Sequence, residues 1–297
     1  MAYTPDWQNI ATQIEQVIKQ PFKIDKCSSV SGGCINSSFV IQGHNQRFFI
    51  KFNQANLLPM FSAEFSGLNE IYHTKTITVP RPILFGISSN TAFLTLELID
   101  FSSKTKQSNE LLGHQLAALH QIKQPFFGWH RNNTIGSTEQ INTRTDNWIE
   151  FWQQQRLGFQ LSLAANNGYS KQLINSGEQL CLRLEAFFAD YSPQPALLHG
   201  DLWGGNFSTS QQGMPVIYDP ACYYGDRETD IAMTELFGGF DPIFYSAYNE
   251  SYPLDTGYSI RKDLYNLYHI LNHLNLFGSS YQSQAQQLID TLLSEIS

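Results

Sequence analysis

Near residue 100 the hydrophobic periodicity of this 297-residue chain changes, and no other feature limits its fold as strongly. Upstream, one helical stripe (Trp7, Ile10, Ile14, Val17, Ile18) is followed by short apolar runs broken by turn residues. These runs predict strands over 24–30, 38–42, 47–52, 83–87 and 91–98. Thr4 is placed to cap the first helix, with Pro5 in its first turn and Asp6 at its positive end. A second helix is expected over 60–73, with Phe61, Phe65, Leu68 and Tyr72 inward. Downstream, apolar residues recur at helical spacing, predicting helices over 109–122, 145–166 and 171–190 and four more over 227–297. Short apolar segments at 197–207 and 214–220 enclose a polar loop, and 127–142 reads as a long loop of the kind that carries specificity. The expectation is an α+β chain of two lobes. Residues 1–98 form a small antiparallel-sheet lobe with one main helix plus the N-terminal helix, and residues 99–297 form a larger, mostly helical lobe.

Composition excludes several classes. Hydrophobic residues make up 42% and aromatics 13%, enough to build packed cores, so the chain is not disordered. With 18 basic against 26 acidic residues the net charge is −8, which argues against a nucleic-acid or anionic-membrane partner. No apolar stretch is long enough to span a bilayer, and the start lacks the basic and apolar regions of a signal peptide. Cys27, Cys34, Cys181 and Cys222 show neither metal-ligand nor disulfide-framework spacing, so a reduced, cytoplasmic protein is expected. Its oligomeric state is open between monomer and homodimer.

The chemistry concentrates in Leu197-Leu198-His199-Gly200-Asp201-Leu202-Trp203-Gly204-Gly205-Asn206, with Asp219 beyond it after the apolar run Val216-Ile217-Tyr218. An acid on a tight loop, then a carboxamide, then a carboxylate after a hairpin is the set that phosphoryl transfer needs. Asp201 would accept or orient the proton of an attacking hydroxyl. Asn206 and Asp219 supply the hard oxygen donors that Mg2+ prefers, and the metal would offset charge on nucleotide phosphates. Asp201 or Asn206 alone is an ordinary loop residue; their joint spacing, with the loop's two further glycines, singles them out.

In the first lobe, Val30-Ser31-Gly32-Gly33-Cys34-Ile35-Asn36 lies between two strands, and Gly32 and Gly33 would let backbone N–H groups approach phosphates closely. Lys51 sits in an apolar strand, and Glu64, on the next helix beside Phe65, is the carboxylate available to fix it. Cys34 would sit near positive charge in that turn, a setting for a redox-reactive thiol. Its oxidation, including a bridge between two chains, would distort the turn.

The order of glycine turn, strand lysine, helix glutamate, catalytic aspartate, asparagine and metal aspartate resembles the protein-kinase-like fold. The string from His199 to Asn206 is similar to that of the fructosamine kinase (ketosamine kinase) family. So are Gly32-Gly33-Cys34-Ile35-Asn36, Phe127-Gly128-Trp129, Ile135-Gly136-Ser137-Thr138, Tyr218-Asp219-Pro220-Ala221 and the run from Tyr223 to Met233, which together span nearly the whole chain. That resemblance implies ATP-dependent phosphorylation of the 3-hydroxyl of fructosamine or ribulosamine adducts, free or on protein lysines, whose products then decompose as deglycation. It also implies that Glu97 and Leu98 form the hinge meeting adenine, and that Asp230 anchors the catalytic loop's backbone. Gly200 stands where protein kinases carry an arginine, and Pro220-Ala221 follows the metal aspartate, so no phosphorylation-gated activation segment is expected.

Trp203, inside the loop, and Trp129, in the 127–142 segment, are candidates for acceptor contacts, while His120 and His199 read as structural. Two alternatives stay open: another small-molecule kinase of the same fold, of the aminoglycoside or choline phosphotransferase type, and a catalytically silent nucleotide-binding module.

Overall fold

The structure, a computed structural model, describes residues 5–30 and 36–296. Thr4, Gly32, Gly33 and Cys34 therefore lie outside the described residues. The first lobe runs α1 (Trp7–Ile18), β1 (Lys26–Val30), β2 (Ser37–Gly43), β3 (Gln46–Gln54), α2 (Leu58–Thr74), β4 (Pro82–Ser88) and β5 (Thr91–Glu97). Its strands form one antiparallel sheet in the order β1-β2-β3-β5-β4. The β2–β3 turn places His44 and Asn45 at φ 46° and 62°, the left-handed pair that a two-residue hairpin requires.

Period-two alternation in β3 decides what faces what. Phe48, Ile50 and Phe52 point outward and pack under Ile10 and Ile14 of α1, which leaves Lys51 on the opposite, inner face. Asp6 caps α1 by accepting from the Asn9 N–H at 3.0 Å, a role the sequence had pointed to Thr4 for. Val17, expected in the apolar stripe, is half exposed.

In α2 the buried face is Phe61, Ala63, Gly67, Leu68 and Ile71, and Tyr72 is 42% exposed, against expectation. The reason is a second packing surface. A Cβ on Gly67 would lie 3.0 Å from Cys222 Sγ and 3.6 Å from Pro220, so the helix presses on the second lobe as well as on the sheet and turns its buried face that way.

The second lobe comprises β6 (Phe101–Ser102), α3 (Lys106–Leu119), β7 (Asn133–Ile135), β8 (Thr138–Gln140), α4 (Trp148–Trp152), α5 (Gly158–Asn166), α6 (Lys171–Cys181), β9 (Ala196–Leu198), β10 (Phe207–Ser210), β11 (Pro215–Ile217), β12 (Tyr223–Gly225), α7 (Glu228–Leu236), α8 (Pro242–Ser251), α9 (Tyr258–Phe277) and α10 (Gln282–Glu295). The expected long loop over 127–142 carries the β7–β8 hairpin. Its polar residues Asn133, Thr138 and Gln140 are buried, a pattern that hydrophobic periodicity does not register. The expected helix over 145–166 starts at Trp148 and widens into one π turn at Gln153–Leu157. That over 171–190 ends at Cys181; a tight turn at Leu184–Phe188 then buries Leu184, Phe187 and Phe188.

Candidate active site

Backbone pairing brings the catalytic string and Asp219 together. The β10–β11 hairpin pairs Phe207 with Ile217, so Asn206 and Tyr218 lie side by side, and the Tyr218 N–H donates to Asn206 O at 3.1 Å. At the other end, Ala221 N–H donates to His199 O at 2.8 Å. The His199 ring lies 3.0 Å from Tyr218 O through Nε2 and accepts from Asp201 N–H at 3.2 Å through Nδ1. Burial depresses the affinity of this ring for a second proton, which fits one nitrogen donating and the other accepting.

Two backbone positions are extreme. Gly200 has φ +82°, and a Cβ there would fall 2.1 Å from the Ala221 carbonyl oxygen. No side chain fits, which explains in structural terms why an arginine is absent. Asp219 itself takes φ 59°, an uncommon left-handed conformation for a non-glycine residue that marks functional turns.

Asp230, at the start of α7, lies 1% exposed beneath this loop. Its Oδ2 accepts from His199 N–H at 2.7 Å and from His120 Nε2 at 3.1 Å, and its Oδ1 accepts from Gly200 N–H at 2.8 Å. Burial works against the carboxylate, but the His120 hydrogen bond, the two histidines and the Gly200 N–H outweigh it and hold Asp230 below the usual range. His120 is fully buried and bonded on its other side to Tyr248 OH at 2.8 Å.

From the first lobe, Lys51 Nζ reaches Glu64 Oε1 and Asp219 Oδ1, both at 2.6 Å. Burial opposes its charge, yet Asp219 and Glu64 raise its proton affinity above that of a free lysine, so it stays an ammonium. Asn206 donates from Nδ2 to Asp201 O at 2.8 Å and to Asp201 Oδ2 at 3.1 Å. Burial, then the nearby Asp219 carboxylate, raise Asp201 well above the ordinary aspartate range. Lys51, Glu64, Asp201, Asn206 and Asp219 thus line one cleft between the lobes, together with Asn36, Met60, Ala63, Asn133, Thr134, Gly136, Pro220 and Ala221.

Other expected residues fall elsewhere. Glu97 and Leu98 line a separate recess with Arg47, Phe48 and Arg81; Glu97 accepts from the Arg81 N–H at 3.2 Å. Trp203 is 40% exposed and folds back over Gly205, where a Cβ would fall 2.2 Å from its ring. Trp129 does not reach the cleft. It is buried at 3% exposure, and its Nε1–H donates to Glu70 at 2.6 Å, so the expected acceptor contact is corrected to an anchoring one. The hairpin residues Asn133, Thr134 and Gly136 reach the cleft instead, and only their place inside the 127–142 segment hinted at them.

Among the described residues no group of three or more His, Cys, Asp and Glu forms a metal cage. Oxygen donors at the cleft include Asn206 Oδ1, left over once Nδ2 is spent on Asp201, and the Asp219 carboxylate, one oxygen of which also holds Lys51. Two hard donors fit Mg2+, which keeps most of its ligands as water and phosphate oxygens.

A family model described as "Fructosamine kinase" matches residues 6–295. The chain is 48% identical over 288 residues to a "Probable ketoamine kinase" of Synechocystis sp., covering 97% of each. It is 42% identical over 274 residues to the chloroplastic protein-ribulosamine 3-kinase of Arabidopsis thaliana, covering 91% of this chain and 83% of that one. A solved candidate fructosamine-3-kinase from Haemophilus somnus 129PT superposes with TM-score 0.89 at 31% identity, covering 97% of both chains. An aminoglycoside phosphotransferase solved with streptomycin and ATP shares the fold alone, with TM-score 0.64 at 13% identity over 99% of this chain and 97% of that one.

Proposed function

This chain belongs to the fructosamine kinase family, and from that membership we propose that it transfers the γ-phosphoryl group of ATP to the 3-hydroxyl of ketosamines. The acceptors are fructosamine- or ribulosamine-type adducts on small amines or protein lysines, and phosphorylation leads to their deglycation. The observation that carries this reading is the convergence of Lys51, Glu64, Asp201, Asn206 and Asp219 on one cleft.

In this reading residues 1–98 are the nucleotide lobe and 99–297 the catalytic and acceptor lobe. Lys51, fixed by Glu64, holds the nucleotide phosphates. Asp201, oriented by the Asn206 amide, binds the acceptor hydroxyl and takes its proton as the oxygen attacks phosphorus. Asn206 and Asp219 would hold Mg2+, which supplies charge neutralisation for the phosphates. Trp203, exposed at the rim of the catalytic loop, presents a flat apolar face of the kind that sugars stack on. The free thiols of Cys27, Cys181 and Cys222 suit a reducing, cytoplasmic compartment, and no helix among the described residues is long and apolar enough to cross a membrane.

The test is incubation with ATP, Mg2+ and synthetic fructosyl-lysine or ribulosyl-lysine, followed by mass analysis. A phosphoryl adduct that forms only with ATP and metal is expected. ATP consumption with an aminoglycoside or choline but neither ketosamine would overturn the substrate assignment, and no turnover with any acceptor would overturn the enzymatic one.

A further inference from the structure

Resting on that reading, we propose that Glu70 is a positioning residue. It latches α2, and with it the Lys51–Glu64 pair, permanently onto the strands that flank the Asp201 and Asp219 loops. In a two-lobed kinase the helix bearing the lysine's carboxylate partner is attached to the sheet and can swing away from the second lobe. Here three contacts along α2 oppose that. At its start, Arg131 Nη1 donates to Ser62 O at 3.3 Å and to Ser62 Oγ at 2.9 Å. At its middle, Gly67 lies against Pro220 and Cys222, one to three residues past Asp219. Near its end, Glu70 spends both carboxylate oxygens on the second lobe: Oε2 accepts from Trp129 Nε1–H at 2.6 Å and Oε1 from Tyr224 OH at 2.7 Å.

The two donors are themselves tied to the catalytic loops. Tyr224 lies in β12, which pairs with Leu197 of β9, the strand leading into His199 and Asp201. Gly128, next to Trp129, exchanges two backbone hydrogen bonds with Tyr224, at 2.8 and 2.9 Å. The β7–β8 hairpin completes the brace: Asn133 and Gln140 donate to the carbonyls of Cys222 and Ala221 at 2.8 and 3.1 Å. One carboxylate therefore joins the helix that fixes Lys51 to the strand before Asp201 and the strand after Asp219. Both donors, Trp129 and Tyr224, are buried, and hydrogen bonds to an ionised carboxylate are the strong kind. The 127–142 segment thus does continuously what an activation segment does on demand, meeting the helix at Glu70 through Trp129 and at Ser62 through Arg131.

The experiment compares full-length wild type, Glu70→Ala, Glu70→Gln and Arg131→Ala, all outside the cleft. It reads hydrogen exchange of residues 58–74, the dissociation constant for Mg-ATP, and kcat with fructosyl-lysine. Glu70→Gln can still accept from Trp129 and pair with Tyr224 OH but without charge assistance, so it should fall between wild type and Glu70→Ala. Glu70→Ala should speed exchange in α2 specifically and weaken Mg-ATP binding or lower kcat by about tenfold, with the acceptor KM unchanged. Arg131→Ala should do the same more weakly. The latch is overturned if Glu70→Ala folds with wild-type exchange in α2 and wild-type ATP affinity and kcat, or if it lowers thermal stability alone. Should wild type itself bind no Mg-ATP, the kinase reading falls, while exchange in α2 still judges the latch.

Discussion

Replacing Asp230 by Asn tests how the catalytic turn is held. The carboxylate is 1% exposed and accepts three hydrogen bonds, two from the N–H groups of His199 and Gly200 and one from His120. An amide has a single acceptor oxygen. In its better orientation it keeps the His199 and His120 bonds and aims its NH2 at the Gly200 N–H, leaving a buried donor facing a donor. Such an unpaired group costs roughly 1–3 kcal/mol, and the surviving bonds lose their charge assistance. We expect a loss of about 3 kcal/mol, read as a fall in Tm of roughly 6 °C for a chain of this size. The freed N–H belongs to the residue before Asp201, held at φ +82° against Ala221, so relaxing it displaces the base. A shift of about 1 Å there costs on the order of a hundredfold in rate. The assay is ADP release with fructosyl-lysine well below the variant's Tm. If Asp230→Asn keeps Tm within about 1 °C and kcat within about twofold of wild type, the anchoring argument is wrong.

Other outcomes follow from the same geometry. Asp201→Ala should remove turnover by about 10³-fold, within the range for a lost general base, while calorimetry still finds Mg-ATP bound; turnover near wild type would refute its assignment. Gly200→Ala should cost about 2 kcal/mol or more from the left-handed backbone and the Ala221 clash together, visible as both a lower Tm and lost activity. His269 gives a pH dependence. Burial first, then His273 and Arg156, lower it to about 3 against the opposing pull of Asp230, and its Nδ1 has no partner among the described residues. A histidine kept neutral when folded contributes stability that is full above about pH 6.5 and is lost as pH falls below it. Between about pH 7.5 and 5.5 this loss is about 1.4 kcal/mol, so the acid side of a Tm–pH series should flatten in His269→Gln, and an unchanged slope counts against it.

Much of this site was legible because phosphoryl transfer restricts residue types. Asp201, Asn206 and Asp219 stand at spacings that a loop and one hairpin impose, and an apolar strand ending in Lys51 could present that lysine only opposite Ile50 and Phe52. What escaped detection depends on partners distant in sequence. Glu70 is one of two acidic residues in α2, the other being Glu64, and nothing local distinguishes it from a solvated helix acid; its role comes from Trp129 and Tyr224, 59 and 154 residues away. The β7–β8 hairpin is hard to see in the sequence because three of its four buried positions, Asn133, Thr138 and Gln140, are polar, and the two amides are satisfied by hydrogen bonds to Cys222 and Ala221. Periodicity finds the apolar stripe through Tyr72 but not which neighbour the stripe will meet, and Tyr72 ends on the exposed side.

The leading helix has a practical corollary. Ile10 and Ile14 roof the outer side of the sheet whose inner side presents Lys51, so trimming the chain back to its first strand would strip a row of phenylalanines bare. Such a shortened protein should clump or misfold before its chemistry could be assayed, and any affinity handle placed at that end needs a spacer that leaves the roof in place.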